Sequence, residues 1–247
     1  MRRYIRNSAT AIVAYLCLTS TLCFGGVLEA KANRAIIVNS DAASINLEFI
    51  INEISSASIV VDGENRKSVL ITGEGMTFAY GKPILPMVSR FVVVPPNVGL
   101  ELEYEVISQY RIYADQEPVL HLDQEMLNGP EMLPHGVDQI YPAVCAEISE
   151  PMIIRGVRVV KLSTYPVQYD PVTHEYVYNE QIRTDIIYTD AEPVNPALHP
   201  VRRHRSKNFL RYMKMLAING DMVGRDDPDR DQDPPFVGHY LVVLNEN

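Results

Sequence analysis

The chain of 247 residues contains no tryptophan and only three cysteines. Cys17 and Cys23 sit close to the N-terminus, in a segment that reads as removable. Cys145 would then stand alone, which excludes an internal disulfide. Stability has to come from a packed apolar core, and the remaining length suffices for one sizeable domain with an appendage. Basic surplus is also lacking. The net charge is -9, which argues against nucleic acid as a partner, because binding phosphate needs a basic surface. Histidine is sparse: His121, His135, His174, His199, His204 and His239 are scattered without the spacing of metal ligands. No metal site and no cofactor is expected. Helical periodicity is almost absent.

The first thirty or so residues do not read as part of a fold. Arg2, Arg3 and Arg6 form a basic start, and Ala9 to Leu22 is apolar and uncharged. Ala30-Lys31-Ala32 is the small-x-small pattern that signal peptidase reads, so cleavage is expected between Ala32 and Asn33. The rival reading is a membrane anchor. The apolar run is short for roughly 30 Å of hydrocarbon, and Gly25-Gly26 interrupts its continuation. Neither Cys17 nor Cys23 has the small residues before it that a lipoprotein anchor needs. The chain is expected to be exported, to a bacterial periplasm or the extracellular space, with no stable anchor after signal removal.

From Arg34 onward strand signals dominate. Ala35–Val38, Ile45–Ile51, Ser58–Val61, Ser68–Thr72 and Arg90–Val94 are short β runs punctuated by Gly63, Asn65, Gly73, Gly75 and Pro95-Pro96. The clearest period of two comes next: Leu100, Leu102, Tyr104 and Val106 point one way, and Glu101, Glu103 and Glu105 the other. Ile140–Ile148 reads as a strand. Arg155 to Tyr188 reads as three more, with a turn at Asp170-Pro171 and an interruption at Asn179-Glu180. These features predict an all-β fold, a β-sandwich or related jelly roll.

Three segments break the pattern. Ala114–Gly136 carries Pro118, Gly129-Pro130 and Pro134, and a loop this long in a compact domain is functional or disordered. Ser206–Ile218 is the one good helix: Phe209, Leu210, Met213, Leu216 and Ala217 recur at helical spacing, Arg211 and Lys214 face away, and Asn219-Gly220 is a natural stop. Asp226–Pro235 reads as a solvated linker. Its alternating carboxylates are reminiscent of a calcium loop but lack the glycine and terminal glutamate of an EF-hand. Tyr240–Leu244 then resembles the first strand of a parallel α/β domain that is not in the sequence.

Two segments together resemble the N-terminal propeptide of the gingipain family of secreted cysteine peptidases. One is Gly81-Lys82-Pro83-Ile84-Leu85-Pro86 leading to Arg90–Pro96, similar to the family's G-x-P-x-L-P and the β run after it. The other is Arg155-Gly156-Val157-Arg158 followed by Pro166-Val167-Gln168-Tyr169-Asp170-Pro171, similar to R-G-x-R and P-x-Q-Y-N-P. Asp170 stands where asparagine is commoner, and either residue suits a turn. The resemblance covers roughly Leu70 to Asp190. It implies a signal peptide over 1–32, a β-sandwich propeptide domain over 33–200, a basic helix and acidic linker over 201–235, and the start of a caspase-like peptidase domain over 236–247.

The resemblance further implies a tethered inhibitor and folding assistant whose partner is the cognate peptidase domain, in cis in the full precursor. The long loop would enter the substrate pocket, with Glu117, Pro118, His121, Glu125, Met126, Leu127 and Leu133 as its candidate residues. Arg202, Arg203, Arg205 and Lys207, next to a proline-bearing stretch, form a natural maturation cleavage site; the same residues also read as a charged helix start. The family's catalytic His and Cys have no counterpart here. A nucleophilic Cys145 would need an exposed, electropositive setting and a base, whereas its strand pattern reads as a buried structural thiol. The rival function is an exported carbohydrate-binding or adhesion module, with Tyr104, Tyr110 and Tyr113 as its platform.

Overall fold

Alternation decides which side of each strand is buried. Strand β2 (Ser44–Ile50) buries Ile45, Leu47 and Phe49 completely and leaves Asn46 and Glu48 on its other face. Each such side chain contributes about 1.5–3 kcal/mol when removed from water. The turn that starts β2 is closed by Asp41, whose carboxylate accepts the Ala43 and Ser44 amides at 2.8 and 3.0 Å. In chain order, the computed structural model has β1 (Arg34–Ser40), β2, β3 (Ser55–Val61), β4 (Glu64–Leu70), β5 (Gly75–Met76), β6 (Pro86–Val93) and β7 (Gly99–Tyr113). Then come β8 (Ala146–Ile148), β9 (Met152–Ile154), β10 (Val157–Thr164), β11 (Val167–Asp170), β12 (Glu175–Thr189) and helix α1 (Lys207–Leu216). The structure describes residues 33–61, 63–121, 139–197 and 206–224.

Among the described residues the strands form two five-stranded sheets and one hairpin. In the first sheet β1, β2, β12 and β11 are ordered side by side, and β7 runs along the other edge of β12. In the second, β5, β6, β10 and β8 are neighbours and β9 also pairs with β10. All these pairings are antiparallel. Side chains from β2 and β12 meet Val88 and Val92 of β6 and Val160 and Leu162 of β10 in one core between the sheets. The all-β sandwich expected from the sequence is the fold observed.

β10 is the central strand of its sheet, and its two faces do different things. Val160 and Leu162 enter the core between the sheets, while Val157 and Val159 pack under α1 with Phe209, Leu210 and Met213. A second cluster, Val69, Leu85, Ala114, Val167, Tyr169, Tyr176 and Tyr178, forms elsewhere in the sandwich.

Several boundaries differ from the sequence reading. Ile140–Ile148 is a strand only over Ala146–Ile148. Pro142 has no amide to donate, and its carbonyl is taken by the Gln168 side chain at 2.7 Å. Asn179-Glu180 does not break the chain: β12 runs on for 15 residues with a bulge there. β7 also continues to Tyr113, beyond the alternation that ends at Val106. Its Tyr104 is 42% exposed because β7 lies at a sheet edge. The helix stops at Leu216 instead of Ile218, because Ala217 bridges to Phe91 and the Ile218 amide donates to the Phe91 carbonyl at 2.9 Å. Tyr240–Leu244 lies outside the described residues.

Candidate functional site

The long loop leaves the sandwich along a strip of backbone hydrogen bonds. The Lys67 amide donates to the Glu117 carbonyl at 2.8 Å, and the Val119 amide donates back to Lys67 at 3.2 Å. Ile84 donates to Val119 at 2.8 Å, His121 to Lys82 at 2.9 Å and Gly81 to His121 at 2.8 Å. Side chains reinforce this strip. Glu117 pairs with Arg66, which also holds Glu64. Lys67 reaches Asp115 at 3.3 Å and lies over the Tyr176 ring. The Tyr176 hydroxyl donates to the Gln116 carbonyl at 3.1 Å. The His121 ring meets Phe78 edge-on, with centroids 5.6 Å apart, and its Nδ1 is buried without a hydrogen-bond partner.

Glu117, Pro118 and His121 are thus the anchored root of the loop. Glu125, Met126, Leu127 and Leu133 lie outside the described residues. The chain is anchored again at Tyr141, which exchanges backbone bonds with Tyr169 at 2.9 and 2.8 Å. Gln168 secures this second flank. It is buried, bonds the Pro142 carbonyl, and accepts from Asn179 Nδ2 at 3.1 Å.

The two sequence segments that carried the family resemblance are therefore the two clamps. Gly81 to Pro86 holds the outgoing flank, turning at Gly81 with φ 69°, and Gln168 and Tyr169 hold the returning one. The motifs by themselves do not connect these segments with the loop. The remaining motif residues are structural as well. Arg155 and Gly156 both have positive φ, 48° and 78°, as the tight β9–β10 hairpin requires. Asp170 accepts the Val172 and Thr173 amides at 3.0 and 3.3 Å.

Cys145 is buried within this second clamp, its thiol 3.3 Å from Gln168 Oε1 and 3.6 Å from Asn179 Nδ2. Burial pushes its pKa up, the reverse of what activates a nucleophile. Neither of these partners is a base or a cation. Among the described residues no group of three or more His, Cys, Asp or Glu could hold a metal ion. No helix among them is long and apolar enough to cross a membrane. Tyr104, Tyr110 and Tyr113 are all exposed on β7, and Tyr110 stacks on the buried Tyr178 at 5.0 Å.

At the positions where processing is expected from the sequence, Asn33 is bound into the body. Its Oδ1 accepts the Asn52 and Glu53 amides at 2.7 and 3.1 Å. Ala32, Arg202, Arg203 and Arg205 lie outside the described residues, and Lys207 is the exposed first residue of α1. The chain is pinned on both sides of 198–205. Ala197 donates to Pro96 at 2.8 Å, and the Ser206 hydroxyl caps α1 by accepting the Phe209 amide at 3.2 Å. Arg158, the closing arginine of the R-G-x-R motif, is the buried organiser of the first side. Its guanidinium donates to the carbonyls of Pro95, Val98 and Val194 at 3.0, 2.9 and 2.7 Å. An arginine inside an apolar strand run was the available signal.

Comparison with known proteins places this architecture. The chain is 25% identical over 179 residues to Lys-gingipain HG66 of Porphyromonas gingivalis, an alignment covering 68% of this chain and 10% of that protein. The chain thus spans about a tenth of that relative's length. Its fold is similar to a chain of the complex of Porphyromonas gingivalis RgpB pro- and mature domains, with TM-score 0.60, 19% identity and coverage of 76% and 97% of the two chains. It is also similar to a structure described as giving insight into the zymogenic latency of gingipain K from the same organism, with TM-score 0.53, 20% identity and coverage of 66% and 97%. The Propeptide_C25 family matches residues 31–215, a span that takes in both sheets, both clamps and almost all of α1, and the chain belongs to that family.

Proposed function

We propose that this chain keeps a gingipain-like cysteine peptidase latent, as a prodomain that folds beside the catalytic domain, covers its cleft and leaves the catalysis to it. The observation that carries the reading is the coincidence of family and fold: the match over residues 31–215 belongs to a propeptide family, and the sandwich is that of a chain from a pro- and mature-domain complex.

The inhibitory element is the segment between the two clamps, with Glu125, Met126, Leu127 and Leu133 as its contacting residues. Tethering in cis adds an effective concentration of roughly millimolar for a short flexible linker, so modest contacts suffice for latency. Residues 1–32 direct export and are removed by signal peptidase, and the prodomain acts in the periplasm or outside the cell. Maturation begins with cleavage at Arg202, Arg203, Arg205 or Lys207.

The test is inhibition in trans. The chain from Asn33 onward is added to a purified gingipain-like peptidase domain from the same source, and hydrolysis of a peptide substrate is followed. Slow-dissociating inhibition at micromolar concentration is expected. Unchanged hydrolysis at saturating chain would remove the latency reading.

A further inference from the structure

We propose that the segment Ser206–Gly224 is a non-covalent latch: it stays docked on the outer face of β6 and β10 after the chain is cut in 198–205, so that a cut there does not by itself separate the downstream chain from the sandwich. The inference rests on the maturation reading above only for its consequence, and the latch itself is read from the contacts.

A ten-residue helix is marginal in water by itself, since isolated helices shorter than about 12–15 residues seldom hold. The order of α1 therefore comes from what it touches. Phe209, Leu210 and Met213 are buried against Val157 and Val159, and Val223 joins them from beyond the helix. The Arg155 guanidinium lies over the Phe209 ring, 5.7 Å from its centroid. Past the helix the segment pairs with β6 as a short strand would: Ala217 bridges to Phe91, and Ile218 donates to its carbonyl. Asn219, 1% exposed, then uses its side-chain amide as if it were backbone. Its Oδ1 accepts the Val93 amide at 2.7 Å and its Nδ2 donates to the Val93 carbonyl at 2.8 Å.

Gly220 completes the arrangement, because a Cβ there would collide with the Met213 carbonyl. Apolar burial, a cation-π contact and hydrogen bonds to β6, one at Phe91 and two at Val93, are of the kind that hold fragments together without a covalent link. A nick in 198–205 removes the tether's local concentration and leaves these contacts intact.

The experiment uses the full chain with a recognition sequence for a site-specific endopeptidase inserted between Val201 and Arg202. After cutting, shown complete on a denaturing gel, the sample is run on gel filtration in native buffer. Both pieces are expected in one peak. Elution of the C-terminal piece by itself would overturn the proposal. In the same chain carrying Met213→Ala and Asn219→Ala, retention is expected to weaken about a hundredfold, and the pieces separate. Co-elution of the doubly substituted pieces would show that these contacts are not the latch. The measurement needs no gingipain-like peptidase domain, so its outcome is independent of whether the chain inhibits one.

Discussion

Asn219 and Val93 are joined as two residues of a β-ladder would be, with the asparagine side chain supplying both the donor and the acceptor. The relationship ties the end of the helical segment to the last residue of β6, and neither group of Val93 is left unpaired there.

Asn219→Ala is expected to lower the stability of the whole sandwich by about 1–3 kcal/mol, because it strips partners from a buried amide and carbonyl. Asn219→Asp should do nearly as badly, since a carboxylate accepts but does not donate. Denaturant unfolding followed by far-UV circular dichroism reads both. A midpoint unchanged in both variants would contradict the structural role.

Arg158→Leu is expected to cost about 2–4 kcal/mol, as three inward-facing carbonyls lose their donors. Burial lowers the guanidinium pKa, but arginine keeps its charge in proteins. Arg158→Lys should recover less than half of the loss, because one ammonium cannot reproduce the planar fork. Thermal unfolding of the two variants beside the parent is the measurement.

The clamps and the segment between them should respond differently. Replacing 122–138 by a Gly-Ser linker of equal length is expected to abolish inhibition of the peptidase domain while shifting the unfolding temperature by no more than a few degrees. Gln168→Leu should lower both, because it leaves the Pro142 carbonyl unpaired and takes one acceptor from the buried Asn179 amide. Inhibition that survives the linker replacement would place the inhibitory contact elsewhere on the sandwich.

Alkaline pH should unfold the chain through its buried tyrosines. Burial, helped by Asp41 and Asp185, pushes the Tyr188 hydroxyl from 10.0 up to about 12. Tyr165 and Tyr176 shift the same way, again mainly through burial. The unfolded chain therefore loses these protons first. The stabilisation is complete below pH 10 and disappears as the pH rises toward 12 and beyond. Tyr188→Phe should move the alkaline unfolding midpoint upward. A midpoint that stays in place would show that Tyr188 ionises freely in the folded chain.

Cys145 should react slowly with a thiol reagent in the native chain and rapidly after unfolding in guanidinium, because its thiol is buried and its pKa raised. Fast labelling of the folded chain would place it in a more open setting than the Gln168–Asn179 pocket.

Much of this fold was legible locally. The alternation of Ile45, Leu47 and Phe49 needed only the period of two, and the apolar spacing of Phe209, Leu210 and Met213 only that of a helix. The errors fall where non-local contacts overrule local pattern. Ile140–Val144 is strand-like in composition, yet Gln168 takes the carbonyl that a ladder would use. Ala217-Ile218 continues a helical pattern, yet β6 captures it.

By itself the sequence determined the all-β class, the helix, the buried thiol and, through two short motifs, the family. Each depends on residues a few positions apart, where periodicity and turn chemistry act. Only the tertiary structure decided that those two motifs, one around Gly81–Pro86 and one around Gln168-Tyr169, grip opposite flanks of a single segment. That depends on strand register and on which carbonyls remain free after the sheets have paired. Neither can be read from residues so far apart in the chain until packing brings them together.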